Sequence, residues 1–552
     1  MSKSKVKSKS SDKMKPLSMR YSLNNAIINY FLIVMFVVFP LFINFTFDGS
    51  FPFVHFERGY YGIRHQKYYL FLTMAAITAI AEILLLITEG FSTLKKNHDL
   101  TPKGLVSKLS FTDWSVLSLV LVCAISTIFS SYKEIAFFGE VTIGKNDHGR
   151  NNGLLLILIY VLVYFLITRG FRYKEHVFTA LAVTAAAVYL LAVLNCFNID
   201  PLNMFVLFKN DKLVSRDFLT TIGNKNMFST YICVTLPVAV TMSVHTKKFV
   251  NQIIFLCAAG LGAMAMIVCD SDSAVLGIGA FIAIFLAVYA RNIARLKKFF
   301  LALTVMLFSA KLLGIFSALS NESHKTLEAF PSTLMRSNTV YIILIAFAAI
   351  TALLYFLDKN KPDLSVPKAV PIVILSAFGA GVVGIIAAMV YFSNFDSTTN
   401  LGSFERLLRF NDAWGTHRGV MWIRSFWIFR DASFFHKLFG TGPETYYYAF
   451  SPYFKDLYKF GDGSTDAAHN EYLQYLITIG IAGLGAYFAF VGGALKSAFK
   501  TAKQNPIALV FASAVVAYLA QAVVNIALPI GTPLFIIFVS LCEAISKQPK
   551  TN

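Results

Sequence analysis

Charge is scarce in this chain. Only 14% of its 552 residues are Asp, Glu, Lys or Arg, against 56% hydrophobic, whereas soluble domains run near a quarter charged. That balance excludes a soluble globular fold. Cysteine is sparse too. The six (Cys123, Cys196, Cys233, Cys257, Cys269 and Cys542) are scattered, mostly inside apolar runs, and none forms a CxxC pair. Neither a disulfide framework nor a zinc site is expected from such spacing. Obvious internal repeats are absent, and no nucleotide-binding domain interrupts the apolar runs. No small-residue cleavage site follows the first run, so a removable signal peptide is not expected.

What the chain does have is apolar length. Windows of about 20 residues, the span of a bilayer core, recur almost throughout. Fourteen spans are expected, at about 26–47, 68–88, 113–131, 152–168, 176–195, 226–244, 250–269, 274–290, 299–319, 338–357, 370–392, 470–495, 506–525 and 529–545. The predicted fold is an all-α polytopic membrane protein of 12–14 helices. Its parts are a basic tail (1–20), eleven spans (21–392), a long loop subdomain (393–469), three spans (470–545) and a short tail (546–552). The net charge of +19 does not point to nucleic acid, because the basic residues cluster in the N-terminal tail and in alternate short loops. That pattern predicts cytoplasmic termini and puts the long loop on the outer face. The loop holds three of the four tryptophans, Trp414, Trp422 and Trp427. Turn chemistry at Gly440-Thr441-Gly442-Pro443 and helical spacing across 420–435 predict an ordered subdomain.

Residues able to do chemistry gather beside that loop. Asp466 is a plausible N-cap, which would place His469 in the first turn of a long helix entering the membrane. Unpaired N–H groups there favour an anion, and an imidazole at that boundary is expected to titrate near neutrality. Arg418 and Trp422 are four apart, on one helix face. Arg406, Arg409, Arg424 and Arg430 lie nearby, with as many acids in the loop to pair with. A guanidinium binds phosphate in bidentate fashion. Arg150, ahead of Asn151-Asn152-Gly153, opens the fourth span. Arg216 and Lys225 flank the sixth, where Asn224 and Asn226 are also ordinary caps. Asp270-Ser271-Asp272 has the spacing of a divalent-metal motif, and equally of a capped, solvated turn.

The arrangement resembles the O-antigen ligase and polymerase superfamily of bacterial envelope glycosyltransferases. His469-Asn470, nine residues, then Gly480-Ile-Ala-Gly483 is similar to that family's histidine signature. Arg418–Trp422, Gly440-Thr-Gly442, Gly223–Phe228 and Arg150–Leu154 match its other elements in order, over roughly 140–530. One departure is Ser271-Asp272, where the pattern has Ser-Arg. The resemblance implies a GT-C-like fold and a metal-independent transferase without a cofactor. Its donor would be a glycan on undecaprenyl diphosphate, and its acceptor a hydroxyl outside the cytoplasmic membrane. His469 would be the general base, and Arg418, Arg150, Arg216 and Lys225 diphosphate clamps. Asn470 would contact substrate, and Glu444 would orient the acceptor or the histidine. A polymerase of lipid-linked repeat units fits the same motifs, and a transporter of a lipid-linked sugar or small anion is the non-enzymatic alternative.

Overall fold

A computed structural model describes residues 19–43, 50–51, 54–55, 60–89, 101–143, 146–202, 204, 218–320, 326–327, 330–361, 364–396 and 398–548. Its principal helices are α1 (Met19–Ile33), α2 (Tyr60–Glu89), α3 (Phe111–Phe129), α4 (Leu154–Gly170), α5 (Glu175–Cys196), α6 (Lys225–His245), α7 (Phe249–Val268) and α8 (Asp272–Tyr289). They continue as α9 (Ile293–Leu319), α10 (Thr339–Asn360), α11 (Ala369–Asn394), α12 (Trp414–Asp431), α13 (Glu471–Thr478), α14 (Gly480–Thr501), α15 (Ala508–Gln521) and α16 (Thr532–Ser546). Three two-stranded hairpins are the extended structure among the described residues. Arg216 and most of the basic tail lie outside the described residues.

Eleven of the described helices are long and apolar enough to cross a membrane. The fourth, thirteenth and fourteenth expected spans are present as shorter apolar helices, Leu154–Gly170, Ala508–Val524 and Thr532–Ser546. The fourteen expected crossings are thus eleven by length. At 1.5 Å per residue, the 17 residues of α4 reach only about 26 Å, less than a typical hydrocarbon core of about 30 Å.

Lipid is as apolar as the side chains, so close packing rather than hydrophobic burial joins such helices. The centre is α6. It is buried from Met227 to Val244 and packs against α7, α8, α9 and α15. Asn224 caps it, its side-chain oxygen accepting the N–H groups of Asn226 and Met227 at 3.1 Å. The neighbour α8 comes close through Gly277, where a Cβ would meet Cys233 Sγ and the Ala517 carbonyl. At the periphery, α11 buries no residue.

The twelfth expected span is broken. After α13, Ile479 leads into Gly480 at φ +69°, a left-handed conformation that suits glycine. A break strands carbonyls that lipid cannot hydrate. Here the Gly440-Thr441-Gly442 turn fills it. Thr441 N–H donates to the Ile477 carbonyl at 3.1 Å and Gly442 N–H to that of Thr478 at 2.9 Å. Ser126 Oγ reaches the Thr478 carbonyl at 3.0 Å, and Ser130 Oγ that of Thr441 at 2.7 Å. A Cβ at Gly440 would run into the backbone of Thr478 and Ile479, and one at Gly480 into that of Leu438 and Phe439.

The loop subdomain therefore docks on the bundle. It has its own small core, in which Val420, Met421, Tyr446, Phe450 and Leu457 meet Ala468, Leu473 and Ile477. At the opposite end of α3 and α4, Asp113 is buried among Tyr164 Oη (2.7 Å), Arg169 (2.9 Å) and Lys547 (3.0 Å). Glu543 there accepts from Thr112 at 3.0 Å and pairs with Lys547 at 3.2 Å.

Candidate functional site

The histidine does not sit where helix-capping logic alone puts it. Asn470, not Asp466, caps α13. Its side-chain oxygen accepts Leu473 N–H at 3.0 Å. Asp466 instead forms an ion pair with Arg150, 316 residues away in sequence. His469 is left just outside the helix, with φ +50°. That value is uncommon for a non-glycine residue and is held only where the surroundings over-determine it.

Those surroundings are visible in the preceding peptide. The Ala468 N–H donates to Gln474 Oε1 at 3.0 Å, and its carbonyl accepts Trp422 Nε1–H at 3.0 Å. Trp422 packs on Trp414 with ring centres 5.2 Å apart. α12 starts irregularly, with Gly415, Thr416 and His417 left-handed, and is regular from Arg418. One face of α12 thus holds the histidine's backbone through Trp422 and brings Arg418 beside its ring.

The charges divide into paired and unpaired. Arg424 is bidentate on Asp412 (2.6 and 2.9 Å) and also reaches Asp456 at 2.8 Å. Arg409 pairs with Glu405, and Arg430 with Asp431 at 2.7 Å. Arg418 is partly buried and makes no hydrogen bond or ion pair among the described residues. Burial lowers the pKa of its guanidinium, opposed by Asp272 and reinforced by Arg406; it stays charged. His469 Nδ1 is enclosed and likewise has no hydrogen-bond partner. Burial first, then the charges of Arg418 and Arg150, pull the imidazole down to about 3, with Asp466 opposing. Titration near neutrality, expected from the sequence, is not what this environment gives: two guanidiniums disfavour an imidazolium between them.

Arg150 is held by a buried lattice. It follows the hairpin of Glu140–Ile143 with Asn146–Gly149. Arg64 donates to the Gly149 carbonyl at 2.9 Å and to Glu140 at 2.7 Å. His65 lies 2.8 Å from the same carboxylate, and Asn151 Nδ2 donates to it at 2.8 Å. Glu444, just after the glycine turn, is also left-handed at φ +61° and is 5% exposed. Its Oε1 has no partner. Burial lifts this carboxyl to about 8, against the pull of Arg150.

Lys225 stands one step away. Cys269 Sγ–H donates to its carbonyl at 3.2 Å, and its charge acts on the Cys269–Asp270 corner rather than on His469. At that corner Asp272 accepts Phe330 N–H at 3.1 Å. Among the described residues no three His, Cys, Asp or Glu side chains gather as metal ligands do. The structure thus joins His469, Arg418, Arg150 and Glu444 in one neighbourhood and adds Asp466, Trp422 and Gln474.

Arg418 thus stands in no ion pair, with Asp272 acting on it only from a distance, and its charge is felt by an imidazole whose Nδ1 is unpartnered. Residues 329–488 match the family model described as O-antigen ligase. That region runs through α10, α11, the loop subdomain and α13, and the match supports the likeness to the O-antigen ligase superfamily. No curated protein matches the chain.

Proposed function

We propose that this protein transfers a glycan from an undecaprenyl-diphosphate carrier to an acceptor hydroxyl, on the outer face of the cytoplasmic membrane and without a metal. The observation that carries this reading is Arg418, partly buried and in no ion pair, whose charge acts on His469, the Nδ1 of which is unpartnered. An acceptor O–H gives its proton to Nδ1 while its oxygen bonds to the anomeric carbon. The bond from that carbon to the diphosphate oxygen breaks, and its electron pair leaves on the diphosphate. Arg418, with Arg150 beyond it, stabilises that charge. Lys225 and Arg216 are further contacts for the carrier's phosphates, and Asn470 keeps the histidine's helix in register.

The depressed basicity of His469 fits a donor-dependent base. Part of the depression comes from Arg418 and Arg150. A diphosphate bound to them cancels that part, so the imidazole regains its affinity for a proton once the donor is seated. A base near pH 7 then operates only in the loaded complex.

The test uses protein in nanodiscs, an undecaprenyl-diphosphate glycan and EDTA, following release of undecaprenyl diphosphate. Wild type is expected to release it, and His469→Ala and Arg418→Ala to fail. Full activity in His469→Ala would falsify the assignment, and activity abolished by EDTA would turn attention to Asp270 and Asp272. Product size separates a ligase, which makes one transfer, from a polymerase of repeat units.

A further inference from the structure

Beside the hairpin that precedes Arg150, two arginines and two carboxylates admit two pairings. The structure holds one of them: Arg64 with Glu140 at 2.7 Å, and Arg150 with Asp466. In the other, Arg64 would take Asp466, which already feels the Arg64 charge, and Arg150 would lose its partner. The choice bears on the histidine, because the charges of Arg150 and Asp466 both act on the His469 ring. The group that decides between the pairings is Glu140.

Glu140 is fixed from three sides. Its Oε1 accepts from Arg64 Nη2 at 2.7 Å and its Oε2 from Asn151 Nδ2 at 2.8 Å, and His65 Nε2 lies 2.8 and 2.9 Å from the two oxygens. The backbone beside it is fixed as well. The Gly139 carbonyl accepts Asn151 N–H at 2.8 Å, and a Cβ on Gly149 would stand 2.4 Å from that same oxygen. Arg64 Nη1 donates to the Gly149 carbonyl at 2.9 Å. Both residues flanking Arg150 are thus tied to the Glu140–Arg64 pair, Gly149 through the arginine and Asn151 through the carboxylate. Arg64 is only 4% exposed, so it cannot turn to water if the carboxylate is removed. A buried cation stripped of its counter-ion is costly, and Asp466 and Glu444 are the other acids its charge acts on.

We infer that Glu140 is a positioning residue for the transfer: it keeps Arg64 from Asp466 and so leaves Asp466 to hold Arg150. Among the described residues its hydrogen bonds go to Arg64, His65 and Asn151, so it acts through the arginines and not on the reacting atoms. The inference rests on the transferase reading and adds to it a residue on which the placement of Arg150 depends. With the carboxylate neutralised, Arg64 competes for Asp466, Arg150 is released, and the charge that meets the leaving diphosphate is misplaced. A guanidinium has five N–H donors, so the bond to Asp466 sets the position of Arg150 and leaves donors for a phosphate.

The experiment measures glycan transfer and thermal unfolding of the full protein in nanodiscs, for wild type, Glu140→Gln, Arg64→Gln and the double variant. Glu140→Gln is expected to lose about 10²-fold in kcat/KM, the effect of a displaced group. Arg64→Gln removes the competitor together with one buried hydrogen bond, and should lose only about tenfold. The double variant should match Arg64→Gln, so that deleting the arginine raises the activity of Glu140→Gln. A role in stability alone does not give that reversal, since removing a second member of a broken cluster does not restore transfer. Glu140→Asp, which keeps the charge, should stay close to wild type. Transfer by Glu140→Gln equal to wild type overturns the inference. So does a double variant well below Arg64→Gln, a comparison that holds even where Glu140→Gln alone fails to fold. Binding of undecaprenyl diphosphate to Arg418→Ala tests the transferase reading separately: binding equal to wild type overturns that reading, and the inference with it, whatever the Glu140 variants do.

Discussion

The two ends of α3 and α4 treat charge in opposite ways. At the Asp113 end, one buried carboxylate takes bonds from Tyr164, Arg169 and Lys547, and Ser110 N–H donates to it at 2.9 Å. Glu543 is matched there by Thr112 and Lys547. At the other end, about 28 Å away along the 19 residues of α3, Arg418, His469 Nδ1 and Glu444 Oε1 are left open. The backbone differs as well: Asn151, Glu444 and His469 are all left-handed there. A closed set of charges joins helices. An open set held in strained conformations is arranged for something that is not part of the chain.

The sharpest way to break this contrast is to compare losses of activity and stability at the two ends. His469→Ala and Arg418→Ala are expected to lower glycan transfer by about 10²–10³-fold, the usual loss of a general base or a charge-stabilising group. Their thermal unfolding should stay close to wild type. Asp113→Ala should do the reverse. It leaves a buried tyrosine hydroxyl and two cations short of a partner, costing about 3 kcal/mol, with the transfer rate of the folded fraction retained. Equal effects at both ends would erase the distinction.

A pH experiment sharpens it further. Because the free protein holds His469 at about 3, kcat/KM, which reports the unloaded enzyme, should show no acid limb from this group between pH 5 and 7. The kcat profile reports the loaded complex and should acquire one. In Arg418→Ala the imidazole pKa should rise, visible in a nitrogen NMR titration, since one of its two depressing charges is gone. Unmoved titration would break the link between arginine and base. The smallest expected effect is that of Trp422→Phe, which keeps the ring but removes the donor to the Ala468 carbonyl. A loss of about tenfold in kcat is expected, with undecaprenyl diphosphate binding unchanged.

Sequence reading reached the apolar helices and the face shared by Arg418 and Trp422 because each rests on local spacing. It mistook the cap, since Asp466 and Asn470 are both good capping residues and only the partner at Arg150 decides between them. That partner comes from a hairpin hundreds of residues earlier, which no periodicity reports. Gly480 is one of several glycines along its stretch of sequence, yet Gly485 and Gly492 meet nothing within 4 Å of an added Cβ, whereas Gly480 meets backbone. The resemblance already joined Gly440-Thr-Gly442 to the histidine helix in sequence order. What the residues could not say is that the turn serves as the missing half of a broken helix. The unpaired state of Arg418 was equally out of reach, because the loop has enough acids to neutralise every arginine and the fold withholds one.

The turn lodged in the break has a kinetic meaning. Large loops over membrane sites are often imagined as doors swinging on their ends. Here the hinge side is latched: lifting Thr441 and Gly442 away would expose the Ile477 and Thr478 carbonyls within reach of lipid. Opening the loop at this turn and uncovering the break between α13 and α14 are therefore coupled through the same two hydrogen bonds. On the transferase reading, substrates then enter along the sides of a fixed roof rather than beneath a swinging lid.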